Sequence, residues 1–196
     1  MRITVFDYGA GNLHSLTKSL GGVGRDVTLA SNPRLALDTD VLILPGVGAF
    51  APAAAAIAAA HDTMKSALQA GLPCLGVCLG MQLLFESSDE GVGDGLAIFG
   101  GRVERLQAQH VPQIGWNDIE DINDALFTRS GLQTAYYANS FVCRPTDPAV
   151  VTAWSTHDGD RFPAAVRTGN VVGVQFHPEK SSAPGVQFIE EFLRTC

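Results

Sequence analysis

Along the first half of the chain, short apolar runs alternate with stripes of apolar residues at helical spacing. Ile3–Phe6 is a run that stops at the turn-rich stretch Asp7-Tyr8-Gly9-Ala10-Gly11-Asn12. Leu13, Leu16, Leu20 and Val23 follow three and four residues apart, the stripe of an amphipathic helix ended by Gly21, Gly22 and Gly24. Val27–Ala30 and Val41–Leu44 predict the second and third strands, the latter closed by Pro45-Gly46. An alanine-rich helix is predicted over about Pro52–Ala60, continuing or restarting toward Ala70 and capped by Gly71. Seven of the eight residues from Ala53 to Ala60 are alanine, the strongest helix former, so this reads as a thin helix packed closely on a sheet. Cys74–Val77 predicts a fourth strand, with Met81–Glu86 in the helix after it.

Continuous apolar strands, each followed by a helix, predict an α/β fold with a mostly parallel central sheet flanked by helices. From Gly100 on the pattern becomes β-rich, through Arg102–Leu106, Ala135–Cys143, Val150–Ser155, Ala164–Arg167 and Val171–Phe176. Thr168-Gly169-Asn170 is a hairpin signal between the last two. A closing helix carries Val186, Phe188, Ile189, Phe192 and Leu193 on one face. No linker or repeat divides residues 1–196, which are read as a single domain.

Composition narrows the function. With 196 residues, 46% apolar and 17% charged, the chain has material for a real core, which excludes bulk disorder. Thirteen Lys and Arg against twenty Asp and Glu, a net charge of −7, argue against a nucleic-acid surface. The sequence shows neither a signal-peptide pattern nor an 18-residue apolar stretch, so a soluble cytoplasmic protein without a membrane partner is expected. Cys74, Cys78, Cys143 and Cys196 are too few and too irregular for a disulfide scaffold and read as reduced thiols.

Candidate chemistry concentrates at strand ends. Gly76-Val77-Cys78-Leu79-Gly80 has the glycine–nucleophile–glycine pattern of a tight strand-to-helix elbow. There Cys78 would feel the positive end of the next helix, which favours thiolate, and the Leu79 N–H would be free to hold an oxyanion. In His177-Pro178-Glu179 the proline keeps the segment extended, so His177 and Glu179 share a direction and the carboxylate orients an imidazole base. His14, His61, His110 and His157 lack such a context and read as solvated. Pro45-Gly46-Val47-Gly48 would lie at the same carboxyl edge of the sheet, its glycines permitting close approach to a substrate and rotation of a peptide. Gly9-Ala10-Gly11-Asn12 lacks the third glycine of a dinucleotide site, and neither a P-loop nor a metal-ligand cluster is present, so neither cofactor nor metal is expected.

Together these residues resemble class I (triad) glutamine amidotransferases, a flavodoxin-like fold, over essentially the whole chain. GVCLGMQLLFE and VQFHPEK carry the class resemblance. DYGAGN, PGVGAF and VPQIGWN are similar to the glutaminase subunits of imidazole glycerol phosphate synthase, the HisH family. The resemblance implies Cys78 as nucleophile, His177 as base and Glu179 as its orienting carboxylate. It also implies substrate contacts from Gly46, Val47, Gly48, Leu79, Gln82, Ser140 and Phe141. Asn12, Trp116, Asn117, Tyr136 and Lys180 would then face a HisF-type (β/α)8-barrel cyclase in a heterodimer. Trp116 adds a warrant of its own, as a large amphipathic ring in a loop-like stretch opened by Pro112. The implied reaction is glutamine hydrolysis, with ammonia passed to the cyclase to convert PRFAR into imidazole glycerol phosphate and AICAR. The alternatives are a glutaminase subunit of a pyridoxal phosphate synthase or a stand-alone γ-glutamyl cysteine hydrolase. Two positions depart from the family, which often has histidine where Gln113 and Asn139 stand. They bear on the glutamine pocket and the partner-facing segment.

Overall fold

The computed structural model describes residues 1–9, 13–46 and 48–196. Among these the chain runs β1 (Arg2–Phe6), α1 (His14–Leu20), β2 (Asp26–Ala30), β3 (Val41–Leu44), α2 (Phe50–Ala58), α3 (His61–Gln69), β4 (Cys74–Val77), α4 (Leu79–Gln82), β5 (Ser87–Ser88) and β6 (Gly101–Arg105). It continues through β7 (Gln113–Asp118), α5 (Ala125–Ser130), β8 (Thr134–Asn139), β9 (Phe141–Pro145), β10 (Val151–His157), β11 (Asp160–Thr168), β12 (Val171–Val174) and α6 (Ser182–Leu193).

The main sheet has seven strands in the order β10-β11-β12-β4-β3-β1-β2. From β12 to β2 every pairing is parallel, and β10 and β11 extend one edge antiparallel. Alternation along the buried strands feeds two cores. Ile3, Val5, Val41, Ile43, Leu75 and Val77 face one side with α1, α5 and α6. Phe6, Leu42, Leu44 and Cys74 face the other with α2 and α3. The uninterrupted apolar runs exist because helices cover both faces. A three-stranded sheet, β5-β6-β9, and a two-stranded ribbon, β7-β8, stand beside it.

The alanine helix restarts, one of the two forms the sequence left open, as α2 and α3 about Ala59 and Ala60. Several other boundaries differ from the sequence pattern. Val23 lies beyond the end of α1 and is fully exposed. The helix expected over Met81–Glu86 is a single turn, Leu79–Gln82. It stops because Leu96, Ala97 and Ile98 donate to the carbonyls of Leu83, Phe85 and Leu84, replacing the bonds a longer helix would make. The run Ala135–Cys143 breaks at Ser140 into β8 and β9, which join different sheets. Val186 is exposed, with Gly185 the buried residue of that turn. The stretch read as a loop around Trp116 is the strand β7, paired antiparallel with β8.

Candidate active site

Three strand ends meet at the carboxyl edge of the parallel region. β4 is paired on both sides, Gly76 opposite Leu44 and Gly173. The chain leaves it at Cys78 with φ 47° and ψ −103°. Such a conformation costs an L-residue about 1–3 kcal/mol and persists only where the surroundings over-determine it. Here the Cys78 N–H donates to Val174 O at 2.7 Å, and its carbonyl accepts from Gln82 N–H at 3.1 Å. A Cβ on Gly80 would stand 1.9 Å from Leu44 O, so the turn lies this close to β3 only with glycine there. Because α4 is one turn long, its dipole adds little at Cys78. What the turn offers is the Leu79 N–H, which has no acceptor among the described residues.

His177 follows β12 in extended backbone, its N–H held by Tyr136 O at 2.8 Å. The segment does not stay extended as expected: Pro178–Lys180 form a 3₁₀ turn, and it is this turn that folds Glu179 back to the ring. Its Nδ1 pairs with Glu179 Oε1 at 2.9 Å, with both side chains more than nine-tenths buried. That bond leaves Nε2 for the thiol. Burial disfavours the imidazolium, but hydrogen bonds to Cys78 and Glu179, and their charges, outweigh it and raise the His177 pKa from 6.5 to about 9. Gly46 closes this corner, since a Cβ there would meet His177 Cε1 and Val77 O at 2.9 Å.

A pocket of about 210 Å³ opens over Cys78, lined by Gly46, Gly48, Leu79, Gln82, Ser140 and Phe141. Gln82 is buried and donates from Nε2 to Phe141 O at 3.1 Å. Val47, and with it the Gly46–Val47 peptide, lies outside the described residues, as does Asn12. Asn139 also lines the pocket, and the sequence reading missed two lining residues, Glu90 and Ala138. Glu90 brings a carboxylate to the rim, fixed by the Phe50 N–H at 3.0 Å. It comes from an irregular turn with no periodic signal. Gln113 and Asn139 prove to be direct cross-strand partners, both buried. Asn139 Nδ2 donates to Phe141 O at 3.2 Å. The Gln113 amide and Asn139 Oδ1 have no partner among the described residues. A larger hollow of about 410 Å³ along the alanines of α2 has only His61 and Asp94 as ionisable groups and no nucleophile.

On the outer face of the ribbon, Trp116 stands opposite Tyr136, their rings 6.3 Å apart and edge-on. Lys180 Nζ lies 5.9 Å over the Tyr136 ring, and among the described residues it forms no ion pair. Trp116 is 55% exposed and Ile114 67%, and Ile114 pairs with Ala138 at the pocket. Asn117 points the other way, donating to Thr156 O at 3.0 Å, so it does not join this face. His61 and His157 are half-buried rather than solvated, bonded to the carbonyls of Gly95 and His110. No helix among the described residues is long and apolar enough to cross a membrane.

The family model for class-I glutamine amidotransferases matches residues 4–196. The chain is 37% identical to the imidazole glycerol phosphate synthase subunit HisH of Thermosynechococcus vestitus, covering 97% of this chain and 95% of the relative. It is 40% identical to the same-named subunit of Halobacterium salinarum, covering 99% and 93%. Among solved structures, a glutamine amidotransferase superposes with a TM-score of 0.75 at 21% identity, over 98% of this chain and 97% of that one. PurLQS from Thermotoga maritima does so with a TM-score of 0.75 at 20% identity, over 99% and 98%, a likeness of fold. The elbow, the buried His–Glu pair and the sheet that carries them thus sit in a chain that belongs to the class-I glutamine amidotransferases and, within them, to the HisH subunits of imidazole glycerol phosphate synthase.

Proposed function

We propose that Cys78, His177 and Glu179 hydrolyse glutamine to glutamate and ammonia, as the glutaminase half of imidazole glycerol phosphate synthase in cytoplasmic histidine biosynthesis. The observation that carries the reading is the strained Cys78 backbone, which puts the thiol beneath a glutamine-sized pocket and within reach of the buried His177–Glu179 pair.

The Cys78 thiolate adds to the carboxamide carbon of glutamine, and the C=O electrons move onto oxygen. The Leu79 N–H holds that oxyanion, with a second donor from the Gly46–Gly48 segment. Collapse breaks the C–N bond, and His177 Nε2 gives its proton to the departing nitrogen as ammonia. The neutral imidazole then takes a proton from water, which attacks the thioester and releases glutamate and the thiolate. Glu179 holds the ring so that Nε2 faces the sulfur throughout. Gln82 and the Ser140–Phe141 backbone seat the substrate amide end, and the Glu90 carboxylate suits its α-ammonium.

Ammonia passes to a HisF-type barrel cyclase in a heterodimer, where PRFAR becomes imidazole glycerol phosphate and AICAR. The docking face is the exposed strip Ile114, Trp116, Tyr136 and Lys180, which runs into the pocket through Ala138. Asn12, outside the described residues, stays in this surface only by resemblance to the family, and Asn117, bonded to Thr156 O, is left out of it. In the assembled enzyme, Cys78→Ala is expected to lower glutamine-dependent synthesis by roughly 10⁴-fold or more while ammonia-dependent synthesis continues. Loss of both routes together in an intact complex would refute the assignment.

A further inference from the structure

The segment after β12 carries three polar side chains at alternate positions, Gln175, His177 and Glu179. Only His177 lies in extended backbone, between a bend at 175–176 and the 3₁₀ turn Pro178–Lys180, so the fold brings these side chains together rather than strand alternation. Gln175 is fully buried, its N–H bound to Ala164 O at 2.9 Å. Its Nε2 donates to Cys78 Sγ at 3.4 Å, and its Oε1 accepts from Gln82 Nε2 at 3.4 Å.

What each group can donate fixes the direction of this chain. The Phe141 carbonyl only accepts, so Gln82 turns its NH₂ toward it. The second N–H of that NH₂ needs an acceptor, so Gln175 presents Oε1 to Gln82. That leaves the Gln175 NH₂ facing the sulfur. Reversing Gln175 would set two donors against each other at Gln82 and an oxygen against Cys78. A hydrogen bond from a buried amide to an ionised acceptor is stronger than one to a neutral acceptor.

We propose that Gln175 is a further catalytic residue, whose amide N–H stabilises the Cys78 thiolate in an orientation imposed by Gln82 and the Phe141 carbonyl. The inference rests on Cys78 being the nucleophile. It also ties the pocket to the sulfur, because Gln82 both lines the substrate site and sets the donor at the thiolate.

The test is alkylation of Cys78 by iodoacetamide in the full chain as a function of pH. Following the mass of the Cys78 peptide keeps the exposed Cys196 out of the measurement. The titratable groups facing Cys78 are His177 with Glu179 behind it, Cys143 on β9 and Glu90 at the rim. In Gln175→Met the midpoint is expected to rise by about one pH unit, a roughly tenfold slower reaction at pH values below it. The plateau rate at high pH is expected to be equal or faster, because a thiolate that lacks the donor is the stronger nucleophile. Gln175→Glu moves the midpoint further the same way. Gln82→Met, which keeps Gln175 but frees its Oε1, moves it less. An unmoved midpoint in Gln175→Met overturns the proposal, as does a rate lowered by one factor at every pH. Where Gln175→Met does not fold, an unmoved midpoint in Gln82→Met does the same. Glutamine-dependent synthesis that survives Cys78→Ala would instead remove the nucleophile assignment itself.

Discussion

The wall of the pocket at Cys78, with Gln175 and His177 behind it, stands on the ends of β4 and β12, adjacent parallel strands buried on both faces, whereas Asn139, Ser140 and Phe141 opposite hang between a two-stranded ribbon and a three-stranded sheet. The first wall is fixed by pairing on both sides of β4 and by packing into two cores. The second has an open outer face with Ile114 and Trp116 in solvent. A two-stranded ribbon is only marginally stable without packing against something else. The two walls are nevertheless stitched together, since the His177 N–H binds Tyr136 O and the Tyr136 N–H binds Ser181 Oγ at 2.9 Å. The contrast is instructive. Groups that must hold a reacting atom within tenths of an ångström sit on the sheet. The strip proposed as the docking face sits on the element most able to respond, one hydrogen bond away from His177.

Breaking the sheet-borne wall should have the largest effect on stability. Gly80→Ala forces a Cβ into the Leu44 carbonyl, and urea denaturation is expected to show a loss of about 3 kcal/mol. A loss below about 1 kcal/mol would mean that the elbow is not held as tightly as its contacts indicate. The ribbon should behave differently. Trp116→Ala is expected to leave folding stability within about 0.5 kcal/mol, because the ring is largely exposed. In calorimetric titration with the cyclase it is expected to weaken binding by about 2 kcal/mol, roughly 30-fold. Unchanged affinity would remove the ribbon from the docking face. The smallest change belongs to the inner side of that ribbon. Gln113→Leu removes a buried amide without a described partner, and thermal melting is expected to show stability unchanged or raised by up to about 1 kcal/mol. A marked loss would show that the amide is satisfied in solution.

The elbow and the His–Glu pair could be read from the sequence because both are short-range. Glycines on either side of Cys78 and a proline after His177 restrict the backbone whatever the rest of the chain does. The ribbon was illegible for a definite reason: its alternation is inverted. In β7 the apolar Ile114 and Trp116 point outward while Gln113 and Asn117 point inward, so hydrophobic periodicity offers no core-facing side to read. Glu90 gave no signal, because its place at the pocket depends on a bond to Phe50, forty residues earlier. Gln175 shared the alternate spacing of His177 and Glu179, yet its position in an otherwise apolar strand end looked like simple continuation of the sheet.

By itself the sequence determined a mostly parallel α/β sheet, the turn at Cys78 and the closeness of His177 and Glu179 after the last strand. Each of these follows from local constraints, namely apolar runs, tight glycine turns and the short chain separation of His177 and Glu179. Only the tertiary structure decided how long the helix after Cys78 runs, where the strand breaks at Ser140 and which amide faces the sulfur. Those outcomes depend on donors and acceptors tens of residues apart in the chain, such as Leu96 with Leu83, Gln82 with Phe141, and Gln175 with Cys78. A hydrogen bond is chosen by what stands within about 3 Å in space, and no spacing along the chain encodes that.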